Sequence, residues 1–122
     1  MLVGPDGSAV GSVSGGCVEG AVYELAESVT QDGVPVLQRY GVSDDDAFAV
    51  GLTCGGILDI WVERIDSESY PEFGDVVASV RDGAPVAVVT CVASTAAPTG
   101  DDRVGHRLVV WPDRVAGSLG SD

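Results

Sequence analysis

Two cysteines stand beside glycine pairs, and both settings suit sulfur chemistry. The first is Gly11-Ser12-Val13-Ser14-Gly15-Gly16-Cys17-Val18-Glu19-Gly20: a short apolar strand, a glycine turn, then a cysteine in the predicted first turn of a helix. The leading N–H groups of a helix lack intrahelical partners, and its macrodipole is positive at that end. Both favour an anion, either a bound phosphate or the thiolate of Cys17 itself. Paired glycines, having no Cβ, let a ligand come close to the backbone. The second setting is Gly51-Leu52-Thr53-Cys54-Gly55-Gly56. If the two loops meet at one sheet edge, two thiols and several N–H groups line one pocket, suited to a ligand that carries both sulfur and phosphate. The candidate binding residues are Ser14, Gly15, Gly16, Cys17, Thr53, Cys54, Gly55 and Gly56. Cys17 and Cys54 are the candidate soft-metal or sulfur contacts.

A bland reading stands beside each of these. An unpaired cysteine is a common small buried hydrophobe, and for Cys17 and Cys54 that alternative stays open. Cys91 lies inside an apolar run and reads as core. There is no Cys-x-x-Cys, and the single histidine, His106, flanks a polar loop, so a zinc site is not indicated. Glu19 and Glu63 are candidate pocket acids, but they read equally as a helix-dipole complement and an exposed strand residue. Gly-Ser-Val-Ser-Gly-Gly from Gly11 fails the dinucleotide-binding spacing. No residue is assigned a catalytic role.

The elements that must position these loops are legible in outline. Val18, Ala21, Val22, Leu25, Ala26 and Val29 make an apolar stripe that predicts a helix over 17–31, ended by Asp32-Gly33. Ser14 or Gly16 is its expected N-cap. A second helix is predicted over 70–82, with Phe73, Val76, Val77 and Val80 on one face. Strands are predicted over 1–3, 9–13, 34–40, 57–65, 108–111 and 115–119, and a buried strand over 85–92. Asp44, Asp45 and Asp46 read as a solvated cap. Leu2-Val3-Gly4-Pro5-Asp6 matches Val109-Val110-Trp111-Pro112-Asp113, and Gly11-Ser12-Val13 then matches Gly117-Ser118-Leu119. This internal repeat predicts two related hairpins in one sheet. The expected architecture is one α+β or α/β domain over 1–122, with a mixed sheet of about six strands and two main helices.

The charge balance narrows the partners. The chain of 122 residues has 19 acidic and 6 basic side chains, every basic one arginine, for a net charge of -13. Such a surface repels nucleic acid and anionic membranes. It also stays soluble in high salt, the pattern of a salt-adapted source or of an ordinary acidic bacterial protein from a GC-rich genome. No run is long enough for a membrane span and none reads as a signal peptide, so a cytoplasmic protein is expected. Three widely spaced cysteines make a poor disulfide framework.

The segment Gly11 to Val22 resembles the XdhC/CoxI family, accessory factors for xanthine and carbon monoxide dehydrogenases. Gly51 to Gly56, followed by a strand reaching Val62-Glu63, resembles the family's second signature. The likeness is close over residues 1–65 and looser over 83–120. It implies a maturation factor that binds molybdenum cofactor (molybdopterin), assists its sulfuration by a cysteine desulfurase, and delivers it to a molybdenum hydroxylase apoenzyme. On that reading Cys17 and Cys54 contact molybdenum or sulfur. Family members carry more sequence before the position of Met1, including a strand like 86–92, and longer ones carry a C-terminal Rossmann domain. A misassigned start, strand exchange in a homodimer, or completion of the sheet by the second repeat would each account for the former. A cysteine-based sulfur carrier or transferase, and a structural fragment with no ligand, are the competing readings.

Overall fold

The computed structural model describes residues 1–41, 56–94 and 103–120. Contacts divide the chain into two compact units, Met1–Arg64 and Ile65–Asp122. The class is α+β, with two helices and small antiparallel sheets.

In the first unit, strands β1 (Leu2–Val3) and β2 (Ala9–Val10) form a hairpin. Its turn is closed by the Gly4 N–H donating to Ser8 O and the Gly7 N–H donating to Gly4 O. Helix α1 (Glu19–Asp32) follows, then β3 (Val36–Tyr40) and β4 (Leu58–Val62), paired antiparallel with Gln38 opposite Ile60. The predicted stripe is the buried face of α1: Val18, Val22, Ala26 and Val29 are buried, whereas Glu24 and Glu27 are exposed. Val18 and Val22 pack with Tyr40 of β3 and Ile60 of β4, and Cys17 lies half-buried at the margin of that cluster. Pro35 stands just before β3, consistent with its missing N–H donor.

In the second unit, helix α2 (Phe73–Asp82) precedes a three-stranded sheet of β5 (Ala87–Thr90), β6 (Arg107–Val110) and β7 (Val115–Ser118), with β6 central. Tyr70, Val109 and Trp111 form its core. The Arg107 guanidinium stacks 3.6 Å from the Tyr70 ring centre and that of Arg114 3.7 Å from Trp111. Each cation lies over an aromatic face, where the ring quadrupole attracts it.

Several expectations shift. Helix α2 begins three residues later than predicted, at Phe73, because Pro71 biases Tyr70 away from helical backbone. Its buried face is turned toward Ser79, while Val80 is exposed. Strand β5 lies at a sheet edge rather than in the interior, and Val88 and Val89 are exposed. The two hairpins of the sequence repeat both form, but in separate antiparallel sheets, with Val3 opposite Ala9 and Val110 opposite Val115. Among the described residues the strands thus make three small sheets in place of one mixed sheet.

Candidate functional site

The Cys17 loop is built from its neighbours on both sides. Helix α1 starts at Glu19, so Cys17 lies two residues before it rather than in its first turn. The delay has a local cause. Gly15 and Gly16 take φ of 76° and 118°, values open to glycine but strained for other residues, and they reverse the chain before the helix can begin. The carbonyl of Val18 then accepts the first helical bond, from Val22 N–H at 2.9 Å.

Into this turn reaches the carboxylate of Glu19. Its Oε1 accepts from the Ser12 hydroxyl at 2.9 Å, the Val13 N–H at 3.1 Å and the Ser14 N–H at 2.8 Å. Its Oε2 accepts from the Ser14 hydroxyl at 2.8 Å and the Gly16 N–H at 2.9 Å. The Ser14 Oγ in turn accepts from the N–H groups of Cys17 and Val18, each at 3.0 Å. The Gly15 N–H donates to Ser12 Oγ, also at 3.0 Å. The arrangement is a widened capping box: a serine oxygen receives the N–H groups ahead of the helix while an acid in the first turn reaches back. The N-cap is Val18, with no side-chain cap bond, rather than the expected Ser14 or Gly16; the turn forced by Gly15 and Gly16 leaves Ser14 to order the chain ahead of the helix instead. The backbone and side-chain hydrogen bonds from Ser14 hold the Glu19 carboxyl far below the usual carboxylate range.

This bears directly on anion binding. The backbone N–H groups from Val13 to Val18 are turned to Glu19, Ser14 or Ser12, and the centre of the turn already holds a negative charge. A phosphate does not fit that cradle in this conformation. What the loop offers outward is its bare glycine rim. Gly15 and Gly16 are exposed, and a Cβ added to either would meet no atom within 4 Å. The half-buried Cys17 follows directly.

Of the second predicted loop, Thr53, Cys54 and Gly55 lie outside the described residues, as do Asp44, Asp45 and Asp46. Gly56 is exposed, two residues before β4. Cys91 is half-buried just beyond β5, with its Sγ 3.6 Å from Ala93 O. The ladder also sets Cys91 beside His106, whose carbonyl accepts the Cys91 N–H at 2.9 Å. No sequence spacing signals that pairing, because a cross-strand register joins residues from distant positions. Among the described residues no group of three or more His, Cys, Asp or Glu side chains is placed to hold a metal ion, and no helix is long and apolar enough to cross a membrane.

Residues 1–41, which include the first hairpin, the Gly15-Gly16-Cys17 turn, α1 and β3, match the model of the XdhC and CoxI family. Over this segment the chain is similar to the XdhC and CoxI family. It is also similar to a probable xanthine dehydrogenase subunit of Bacillus subtilis (strain 168), with 30% identity over 99 residues, 78% of this chain and 29% of that protein. The uncharacterized protein YqeB of Escherichia coli (strain K12) is 39% identical over 62 residues, 51% of this chain and 12% of that one. The chain therefore spans 29% and 12% of these two relatives. The family match contains every residue of the Glu19 hydrogen-bond cluster.

Proposed function

We propose that this chain is a maturation module for a molybdenum hydroxylase of the xanthine or carbon monoxide dehydrogenase type, and that molybdenum cofactor is its cargo. The observation that carries the reading is that the Gly15-Gly16-Cys17 turn lies wholly within the matched family segment. The name of the Bacillus subtilis relative, which ties that protein to xanthine dehydrogenase, supports the choice of client.

In this reading the thiol of Cys17 is the soft contact for molybdenum or for the sulfur delivered to it, since thiolate suits a soft, sulfur-liganded metal. Gly15 and Gly16 keep the approach to that thiol clear of side chains. Cys54, with Thr53, Gly55 and Gly56, supplies the second contact. The cofactor phosphate is not assigned to the turn, because Glu19 holds the N–H groups that would bind it. A cysteine desulfurase as sulfur donor and the apo-dehydrogenase as acceptor complete the proposed partners.

The test is molybdenum content after expression with an intact cofactor pathway, in the wild type and in Cys17→Ala. Stoichiometric metal in the wild type and its loss in the variant are expected. Equal metal in both rejects the thiol role, and a wild type that carries none rejects the cofactor reading as a whole.

A further inference from the structure

We propose that Glu19 is the positioning residue of the Cys17 loop, and that its carboxylate, rather than a bound ligand, sets the conformation in which Gly15, Gly16 and Cys17 are presented. This rests on the reading of Cys17 as the cargo contact and adds the residue that would control it.

The geometry ties the loop to the core through one side chain. Glu19 sits on the first turn of α1, whose Val22 and Val29 are 5% and 2% exposed. Its carboxylate takes hydrogen bonds from Ser12, Val13 and Ser14 ahead of the glycine pair and from Gly16 within it, so both arms of the turn converge on one group. From there the chain of bonds runs through the Ser14 hydroxyl, which donates to Oε2 and accepts from the Cys17 N–H. Packing does not hold the glycines themselves, since nothing lies within 4 Å of a Cβ placed on either. Charge-assisted bonds are stronger than neutral ones, so this single carboxylate outweighs any other local contact in fixing the turn.

Glutamine is the informative replacement because it keeps the shape and one oxygen. Its carbonyl oxygen is best placed where Oε1 stood, facing three donors. That leaves the amide NH2 facing the Gly16 N–H and the Ser14 hydroxyl, so one side of the clasp is lost and the other kept. The experiment is residue-resolved amide exchange on the full chain, together with peptide-mapped alkylation of Cys17 by iodoacetamide. The proteins compared are the wild type, Glu19→Gln, Glu19→Ala and the exposed helix control Glu24→Gln.

In Glu19→Gln, exchange at Gly16 is expected to rise by about tenfold or more, the scale set by losing a charge-assisted bond, while Val13 and Ser14 keep most of their protection. In Glu19→Ala all three lose protection and the Cys17 alkylation rate changes with them. Val22 and Val29 exchange as in the wild type in every variant, and Glu24→Gln changes nothing. A Gly16 amide that exchanges at the wild-type rate in Glu19→Gln overturns the proposal, even if Glu19→Ala fails to fold. These readouts need no cofactor, so absence of molybdenum from the wild type would sink the cargo reading and leave this one standing. Unchanged exchange would do the reverse.

Discussion

The indole N–H of Trp111 donates to the hydroxyl of Ser79 at 2.8 Å, joining the end of strand β6 to helix α2. Trp111 is 7% exposed and Ser79 9%. The same hydroxyl donates to Asp75 O at 3.0 Å, so it serves as acceptor and donor at once. Replacing it strands a buried indole N–H. Ser79→Ala is expected to lower stability by about 1–3 kcal/mol, the cost of a buried donor left without its partner. Urea denaturation followed by tryptophan fluorescence measures it, and a change within about 0.5 kcal/mol, the range of an ordinary surface substitution, would contradict the assignment.

Val109 and Val88 face each other across the β5–β6 ladder, yet their surroundings differ sharply. Val109 is fully buried between Tyr70 and Trp111, and Val88 is 43% exposed on the edge strand. Val109→Ala is expected to cost about 2 kcal/mol from lost burial and the cavity left behind. Val88→Thr is expected to stay within about 0.5 kcal/mol, because a polar atom there remains in water. Equal losses at the two positions, measured by thermal unfolding, would show that β5 is covered after all.

That pair also marks where the sequence misleads. The run from Pro85 to Val92 reads as a buried strand because it is apolar throughout, but apolarity says nothing about which face another element covers. Helix α1 is legible because Val18, Val22, Ala26 and Val29 recur at the helical period, and only one packing direction satisfies all four. Its start lies two residues beyond the point the pattern suggests. The clasp joins Ser14 to Glu19 across five positions, whereas the familiar Ser-x-x-Glu signature spans three, so no local pattern announces it. The same hidden bond bears on the sequence argument for an anion site: in this conformation the N–H groups of Val13, Ser14 and Gly16 donate to a side chain from the helix itself. Cys17 and its glycines stand out in the sequence because residue type and spacing are chemical facts that need no tertiary structure. For Thr53, Cys54 and Gly55 residue type and spacing carry the whole case.

Gly33 ends α1 in the left-handed region at φ 71°, with its N–H donating to Val29 O at 2.8 Å. A Cβ there would come within 2.8 Å of the Arg64 guanidinium, a flexible group that can move aside, so backbone strain dominates the cost. Gly33→Ala is expected to destabilise the chain by about 1–2 kcal/mol. Circular dichroism melts check this. A neutral result would mean that the helix ends without a left-handed residue.

The Glu19 clasp carries a pH dependence whose sign is fixed. Hydrogen bonds donated to the carboxylate lower its folded pKa beneath the ordinary value of 4.5. A depressed acid contributes stability that is fully present above its unfolded pKa and fades as pH falls toward its folded one. Between neutrality and about pH 5 the wild type is therefore expected to keep its full margin over Glu19→Gln. Below the ordinary carboxylate range that margin shrinks, because the unfolded chain now binds a proton that the folded loop refuses. Asp6 and Asp59 are also held low, by Ser8 and Arg39 respectively, and both add to the acid sensitivity of the two proteins alike. Only the difference between wild type and variant isolates Glu19. Paired urea titrations at pH 7, 5 and 3 decide the matter: a gap that stays constant down to pH 3 would show that the carboxylate is not held by these bonds.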